Sequence, residues 1–211
     1  MHNTNVIYTV RNLTTFLVLG HTVTALARNP KSIPAGPKIS VEKGTPSEKE
    51  DLERCFVQKV PDLVFVTLAS STDAPNGALL TYCVTNLVDL MKKYGTRRIV
   101  YMSAYGVDDS FQALNWMMRF LASKTKLATD FKDHKGAEQV LKESTACGIQ
   151  WTVVRPVMLK NGPVKAVKIL GDYGEDIDSF MPGVTRATVA DFMVKAIEDD
   201  RWLGHTPVIC N

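Results

Sequence analysis

A chain of 211 residues that is 45% hydrophobic and 22% charged can bury a sizeable core, which excludes a mainly disordered protein. Its 25 basic and 22 acidic residues are interspersed and net only +3, which argues against a nucleic-acid partner, and no apolar run approaches the roughly 18 residues of a membrane span. The amino-terminus lacks a basic region followed by a long apolar stretch, so no signal peptide is expected. The cysteines at 55, 83, 147 and 210 lack metal-ligand or redox spacing and read as reduced thiols of a cytoplasmic protein.

In chain order, Asn5 to Val10 is β-rich and reads as a first strand, and Leu13 to Leu19 as a short helix ended by Gly20. His21 to Ala27 is apolar on both faces, the pattern of a strand in a parallel sheet covered on both sides. Asn29 to Pro37 reads as loop and Ile39 to Val41 as a brief strand. Ser47 with Glu50 forms a capping-box pattern opening a helix. Asp62 to Leu68 is the clearest buried strand, followed by a polar loop over 69–77. Leu80, Val84, Leu87 and Met91 mark a helix ended by Lys92, Lys93 and Gly95. Arg97 to Met102 reads as a strand, Phe111 to Ser144 as helix in two pieces, and Gln150 to Val154 as a strand stopped by Arg155 and Pro156. Thr188 to Asp199 is a final helix and Pro207 to Cys210 a last strand. The segment from Asn161 to Thr185 is the long irregular stretch, either a substrate-side lid or a surface excursion.

Strands alternating with helices along the whole chain predict an α/β fold, a doubly wound parallel sheet in a single domain spanning residues 1–211. In such sheets ligands bind beyond the carboxyl ends of the strands. That rule selects Arg28, Gly44-Thr45, Ala69-Ser70, Ser103-Ala104-Tyr105 and Arg155-Pro156-Val157. Arg28 suits a ribose 2′-phosphate, the alternative being a solvated side chain. Ser103 and Tyr105 offer hydroxyls for a substrate carbonyl and for proton delivery, or else cap a turn. No tyrosine has a lysine four residues on. His134 and Glu138 share a helix face and could shuttle a proton, although such a pair on a polar helix is more often a surface contact. No metal site is expected, because no third ligand lies nearby. Trp116, Trp151 and Trp202 read as core or helix packing; the apolar face of Trp116 to Leu121 reads as core, or as the border of an apolar pocket.

Gly20-His21 through Val23-Thr24-Ala25-Leu26 to Arg28-Asn29-Pro30, then Arg97 to Ala104, Asp133-His134, Gly148 to Pro156 and Asp191-Phe192-Met193, together resemble the atypical short-chain dehydrogenases/reductases. The nearest branch is the NAD(P)-binding, NmrA-like group containing flavin reductase/biliverdin reductase B. The resemblance covers residues 16 to 211. It implies a Rossmann fold, NADP as cofactor and reduction of a small conjugated or carbonyl substrate. By position, it implies Arg28 on the 2′-phosphate, Ala69 and Ser70 along the ribose and pyrophosphate, Ser103 and Ala104 by the nicotinamide, and Pro156 and Val157 flanking its carboxamide. The partner expected is a small molecule, with no nucleic acid or membrane, and the protein a monomer or homodimer.

Two departures from the family pattern stand out. Its glycine-rich turn should fall near Val6 to Leu13, yet no glycine occurs before Gly20. A Cβ in that turn hinders close approach to a pyrophosphate, so weak or lost cofactor binding is expected unless Arg11 supplies charge in its place. The acid expected after Gly44 is replaced by Thr45. These departures keep open a cofactor-independent isomerase, dehydratase or cyclase on the same scaffold, a non-catalytic NmrA-like binding or regulatory protein, and a shortened amino-terminus.

Overall fold

The computed structural model describes residues 5–9, 21–34, 36–70 and 75–211. The expected helix over 13–19 and Arg11 lie outside the described residues. β1 (Asn5–Thr9), β2 (Thr22–Ala27), β3 (Ile39–Lys43), β4 (Leu63–Val66), β5 (Arg98–Met102) and β6 (Gln150–Pro156) pair in parallel in the order β3-β2-β1-β4-β5-β6. β10 (Val208–Cys210) extends the sheet beside β6, also parallel. Strand order reverses between β1 and β4, the switch point of a doubly wound fold. A short pair, β7 (Met158–Lys160) with β9 (Gly183–Thr185), lies apart from the main sheet.

The sheet is not parallel throughout. Within the segment expected to be irregular, β8 (Lys168–Ile169) pairs antiparallel to β10 and forms the far edge. β6 runs on through Arg155 and Pro156 rather than stopping before them. Proline is the last residue of β6, and the bonds on either side of its missing N–H are kept: the Ser103 N–H reaches the Val154 carbonyl at 2.8 Å and the Tyr105 N–H the Pro156 carbonyl at 3.0 Å.

The helices are α1 (Lys49–Gln58), α2 (Leu79–Tyr94), α3 (Trp116–Lys124), α4 (Lys126–Ser144) and α5 (Arg186–Lys195). The capping box expected at Ser47 and Glu50 does not form. Helix α1 starts at Lys49 after Glu48, and the Ser47 hydroxyl lies 3.2 Å from that of Thr45. Asp51 instead accepts from the Thr45 N–H at 2.7 Å and pairs with Arg54 at 2.8 Å. Helix α2 ends as expected at Gly95, whose φ of 83° is one that side-chain-bearing residues avoid. Its N-terminus is capped from another helix. The Asp133 carboxylate of α4 accepts from the Leu80 and Thr81 N–H groups, both at 2.9 Å. Gly136 makes this α2–α4 approach possible, since a Cβ there would lie 2.4 Å from the Thr81 hydroxyl oxygen.

Alternation along the strands splits the core into two layers. Val23, Phe65, Val100 and Val154 face Val189 and Phe192 on one side of the sheet. Val64, Val66 and Tyr101 face Leu52, Phe56, Leu80, Leu87 and Leu141 on the other. Trp151 is buried, and Trp202 packs edge-on against Phe192 with ring centroids 5.4 Å apart. Trp116 is not a core residue: it is 76% exposed, Phe120 is also exposed, and only Ala122 of α3 is buried. Helix α3 lies outside the two layers and covers neither. Trp116→Gln is therefore expected to change unfolding free energy by no more than about 0.5 kcal/mol, as read by urea denaturation. No helix among the described residues is long and apolar enough to cross a membrane.

Candidate functional site

A cleft of about 970 Å³ opens at the carboxyl ends of β2, β3, β4 and β5, where the fold places ligands. Its β2 side carries Ala27, Arg28, Asn29 and Ser32. Thr67, Leu68, Ala69 and Ser70 follow β4 along the middle. Met102, Ser103 and Ala104 follow β5 at the other end, with His134 on the wall. Asn161 and Arg186 complete the rim, joined by a 2.9 Å bond from Arg186 Nη1 to Asn161 Oδ1.

Beneath the β5 end lies a two-rung ladder between strand and helix. Tyr101 and Ser103 are two residues apart and project to one face of the β5 line, about 6.6 Å of strand rise. His134 and Glu138 are four apart on α4, about 6 Å of helix rise. The two spacings match, so two cross-links form in register. Tyr101 Oη and His134 Nδ1 are 2.6 Å apart. Ser103 Oγ donates to Glu138 Oε1 at 2.5 Å.

This overturns the expectation of a surface His134–Glu138 contact. Both are buried, each bonded to the strand rather than to the other. Glu138 also accepts from Arg155 Nε at 3.2 Å and Nη2 at 2.5 Å. Arg155, fully buried on β6, reaches Asp109 Oδ1 at 2.5 Å and the Asp172 carbonyl at 3.1 Å through Nη1. Asp109, Lys142, Asp108 and Lys135 carry the alternating charges outward to solvent.

Burial pushes the His134 imidazole down to about 4, against the opposing pull of Asp133 and Asp130, so the ring is neutral at physiological pH. Burial, reinforced by the charges of Glu138 and Asp133, holds the Tyr101 phenol well above its ordinary range. Among the described residues that phenol has no other acceptor, so we assign its proton to the bond toward Nδ1 and the imidazole proton to Nε2.

The sequence-selected residues divide between two places. Arg28, Ala69, Ser70, Ser103, Ala104 and His134 come together on the main cleft. Tyr105 and Val157 instead line a second, mostly apolar cleft of about 380 Å³ with Leu114, Met118, Ile177 and Phe180. The Tyr105 hydroxyl donates to the Ala113 carbonyl at 2.6 Å, so it does not face Ser103 or His134. Pro156 is buried, accepts from the Tyr105 N–H at 3.0 Å, and lines neither cleft. The turn after β5 is capped by Ser110, whose hydroxyl oxygen accepts from the Gly106 N–H at 2.9 Å, and not by Ser103 or Tyr105. From the long segment after β6, Leu159 and Asn161 line the main cleft and Ile177 to Pro182 the second.

Sequence reasoning missed Arg155 and Glu138 as a buried pair, and Asp133 as a cap. The available signal was an arginine inside the apolar run Val153-Val154-Arg155-Pro156-Val157, since an arginine is rarely buried without a partner.

The family model for NAD(P)H-binding proteins matches residues 9–200. Among solved structures, a short-chain dehydrogenase/reductase from Veillonella parvula in complex with NADP superposes with a TM-score of 0.77 at 16% identity, covering 99% of this chain and 94% of that one. The anaerobilin reductase ChuY from Escherichia coli O157:H7 gives 0.77 at 14% identity, covering 98% and 97%. A putative NAD-dependent epimerase/dehydratase from Bacillus halodurans gives 0.72 at 19%, covering 99% and 94%. Likeness at this level establishes the fold. No curated protein sequence matches the chain.

Proposed function

The chain belongs to the NAD(P)H-binding family, and on that premise we propose that it is an NADP-dependent oxidoreductase acting on a small conjugated or carbonyl substrate in its main cleft. The observation that carries this reading is the cleft's polarity along its length. A guanidinium, Arg28, stands at the β2 end, while the β5 end holds a neutral imidazole and a hydroxyl on a buried scaffold. Small side chains, Ala27, Ala69 and Ala104, line the path between and leave room for a dinucleotide.

In this reading Arg28 grips the 2′-phosphate through its planar fork. Ala69 and Ser70 border the ribose, and Ser103 and Ala104 border the nicotinamide. A bound nicotinamide dinucleotide would supply the hydride. The His134 Nε2–H is the donor available to polarise the oxygen or nitrogen of the acceptor, and it keeps that proton at any pH above about 4. Arg28→Ala is expected to weaken NADPH binding about tenfold or more while leaving NADH within twofold, because a charge-assisted phosphate contact is lost only in the first case. Calorimetric titration of both nucleotides reads this directly, and a trace flat for both in the unmutated protein overturns the assignment.

The absence of glycine before Gly20 favours one competing reading, a cofactor-independent isomerase, dehydratase or cyclase with His134 as its acid/base, the Tyr105 hydroxyl being held by the Ala113 carbonyl. Turnover of a substrate without any nicotinamide would select it.

A further inference from the structure

The Ser103 hydroxyl has a single hydrogen, and that hydrogen is spent on Glu138. We propose that Glu138 is a positioning residue that turns Ser103 into a hydrogen-bond acceptor at the cleft, so that the group seated there must bring its own N–H donor, namely the amide of a carboxamide-bearing ligand end. The inference rests on the dinucleotide reading above. It departs from the family-based expectation that Pro156 and Val157 flank the carboxamide, since neither lines the main cleft.

Every part of the arrangement is held from behind. Three donors converge on the two Glu138 oxygens, the Ser103 hydroxyl and the Arg155 Nε and Nη2, which is the complement an ionised carboxylate takes. Arg155 cannot swing away, because Asp109 and the Asp172 carbonyl hold Nη1 on the opposite side and β6 is paired to β5 and β10 on its two edges. The Ser103 backbone is pinned by its N–H to the Val154 carbonyl at 2.8 Å. Rotating the hydroxyl to donate into the cleft would take one of its two donors from a fully buried carboxylate oxygen, so the hydrogen stays on Glu138 and Ser103, which lines the cleft, has only lone pairs left to offer a ligand. A bare ketone at this point meets only lone pairs and is disfavoured; an amide is matched.

The test compares NADP with its acetylpyridine analogue, in which a methyl ketone replaces the carboxamide and removes the N–H. Calorimetry on the unmutated protein is expected to show a preference for NADP of about tenfold. Glu138→Gln can offer its amide N–H to the Ser103 oxygen and release the hydroxyl hydrogen toward the cleft, so the preference is expected to fall within twofold. Ser103→Ala, which removes one of the three donors to Glu138 and leaves the Arg155 pairing in place, carries the same expectation should the glutamine variant fail to fold. Equal affinities in the unmutated protein, or an undiminished preference in both variants, overturn the proposal. A ligand-free readout separates this from the dinucleotide reading. The Ser103 hydroxyl proton should be a slowly exchanging proton NMR signal, absent in Ser103→Ala and lost or shifted in Glu138→Gln. If that signal is present while no dinucleotide binds, the dinucleotide reading falls, the ligand assignment falls with it, and the Glu138–Ser103 positioning stands. If dinucleotides bind and the signal is missing from the unmutated protein, the positioning falls and the dinucleotide reading stands.

Discussion

Arg155→Met is expected to destabilise the fold by about 3–5 kcal/mol, the largest loss of any single substitution at the site. Arg155 is fully buried, and Glu138, its partner, is equally so. Removing the guanidinium strands a carboxylate in the core with only the Ser103 hydroxyl to answer it. The same change releases Asp109 and the Asp172 carbonyl, loosening both the turn after β5 and the segment that walls the second cleft. Replacing both members with methionine should restore much of the loss, because the penalty comes from an uncompensated charge rather than from the absence of the bond. Urea denaturation of the two single variants and the double variant closes the cycle. A single-variant cost below about 1 kcal/mol would show that the pair is not buried as described.

Acid should destabilise the protein through His134, and the sign follows from its depressed titration. The unfolded histidine titrates near its ordinary value of 6.5, the folded one near about 4. Above 6.5 neither form binds the proton and the residue contributes nothing. Between the two values the unfolded chain takes up a proton that the folded chain refuses, so stability falls as pH falls. The loss levels off below about 4, at roughly 3 kcal/mol in all. His134→Gln removes the titrating group and keeps a polar side chain facing Tyr101. Relative to that variant, the unmutated protein should lose about 3 kcal/mol more on going from pH 7 to pH 4. Unfolding curves for the two proteins that stay parallel across this range would contradict a buried neutral imidazole. Carboxylates elsewhere titrate equally in both proteins and cancel in the difference.

Much of the architecture was legible along the chain. The apolar strands around Val23, Val64, Val100 and Val153, the helix ended by Gly95, and the two-piece helix before Ser144 all stand where the residue pattern places them. Helix and strand periods, turn glycines and the rule that ligands sit beyond strand ends operate within a window of a few residues. They led directly to Arg28, Ser103 and the β4 end, which line the cleft. What the chain alone left undecided was which faces meet. Helix α4 reads as polar, so His134 and Glu138 look solvated, and the Trp116 face of α3 reads as apolar, so it looks buried; both readings reverse in three dimensions. The reason is geometric. Two strand residues two apart and two helix residues four apart span nearly equal lengths, and once α4 lies along β5 the side chains Tyr101, Ser103, His134 and Glu138 must meet, with Arg155 from the neighbouring strand meeting Glu138. That match joins residues more than thirty positions apart, and no local period records it. Local pattern determined the elements and their order, and packing alone decided which polar groups became the site.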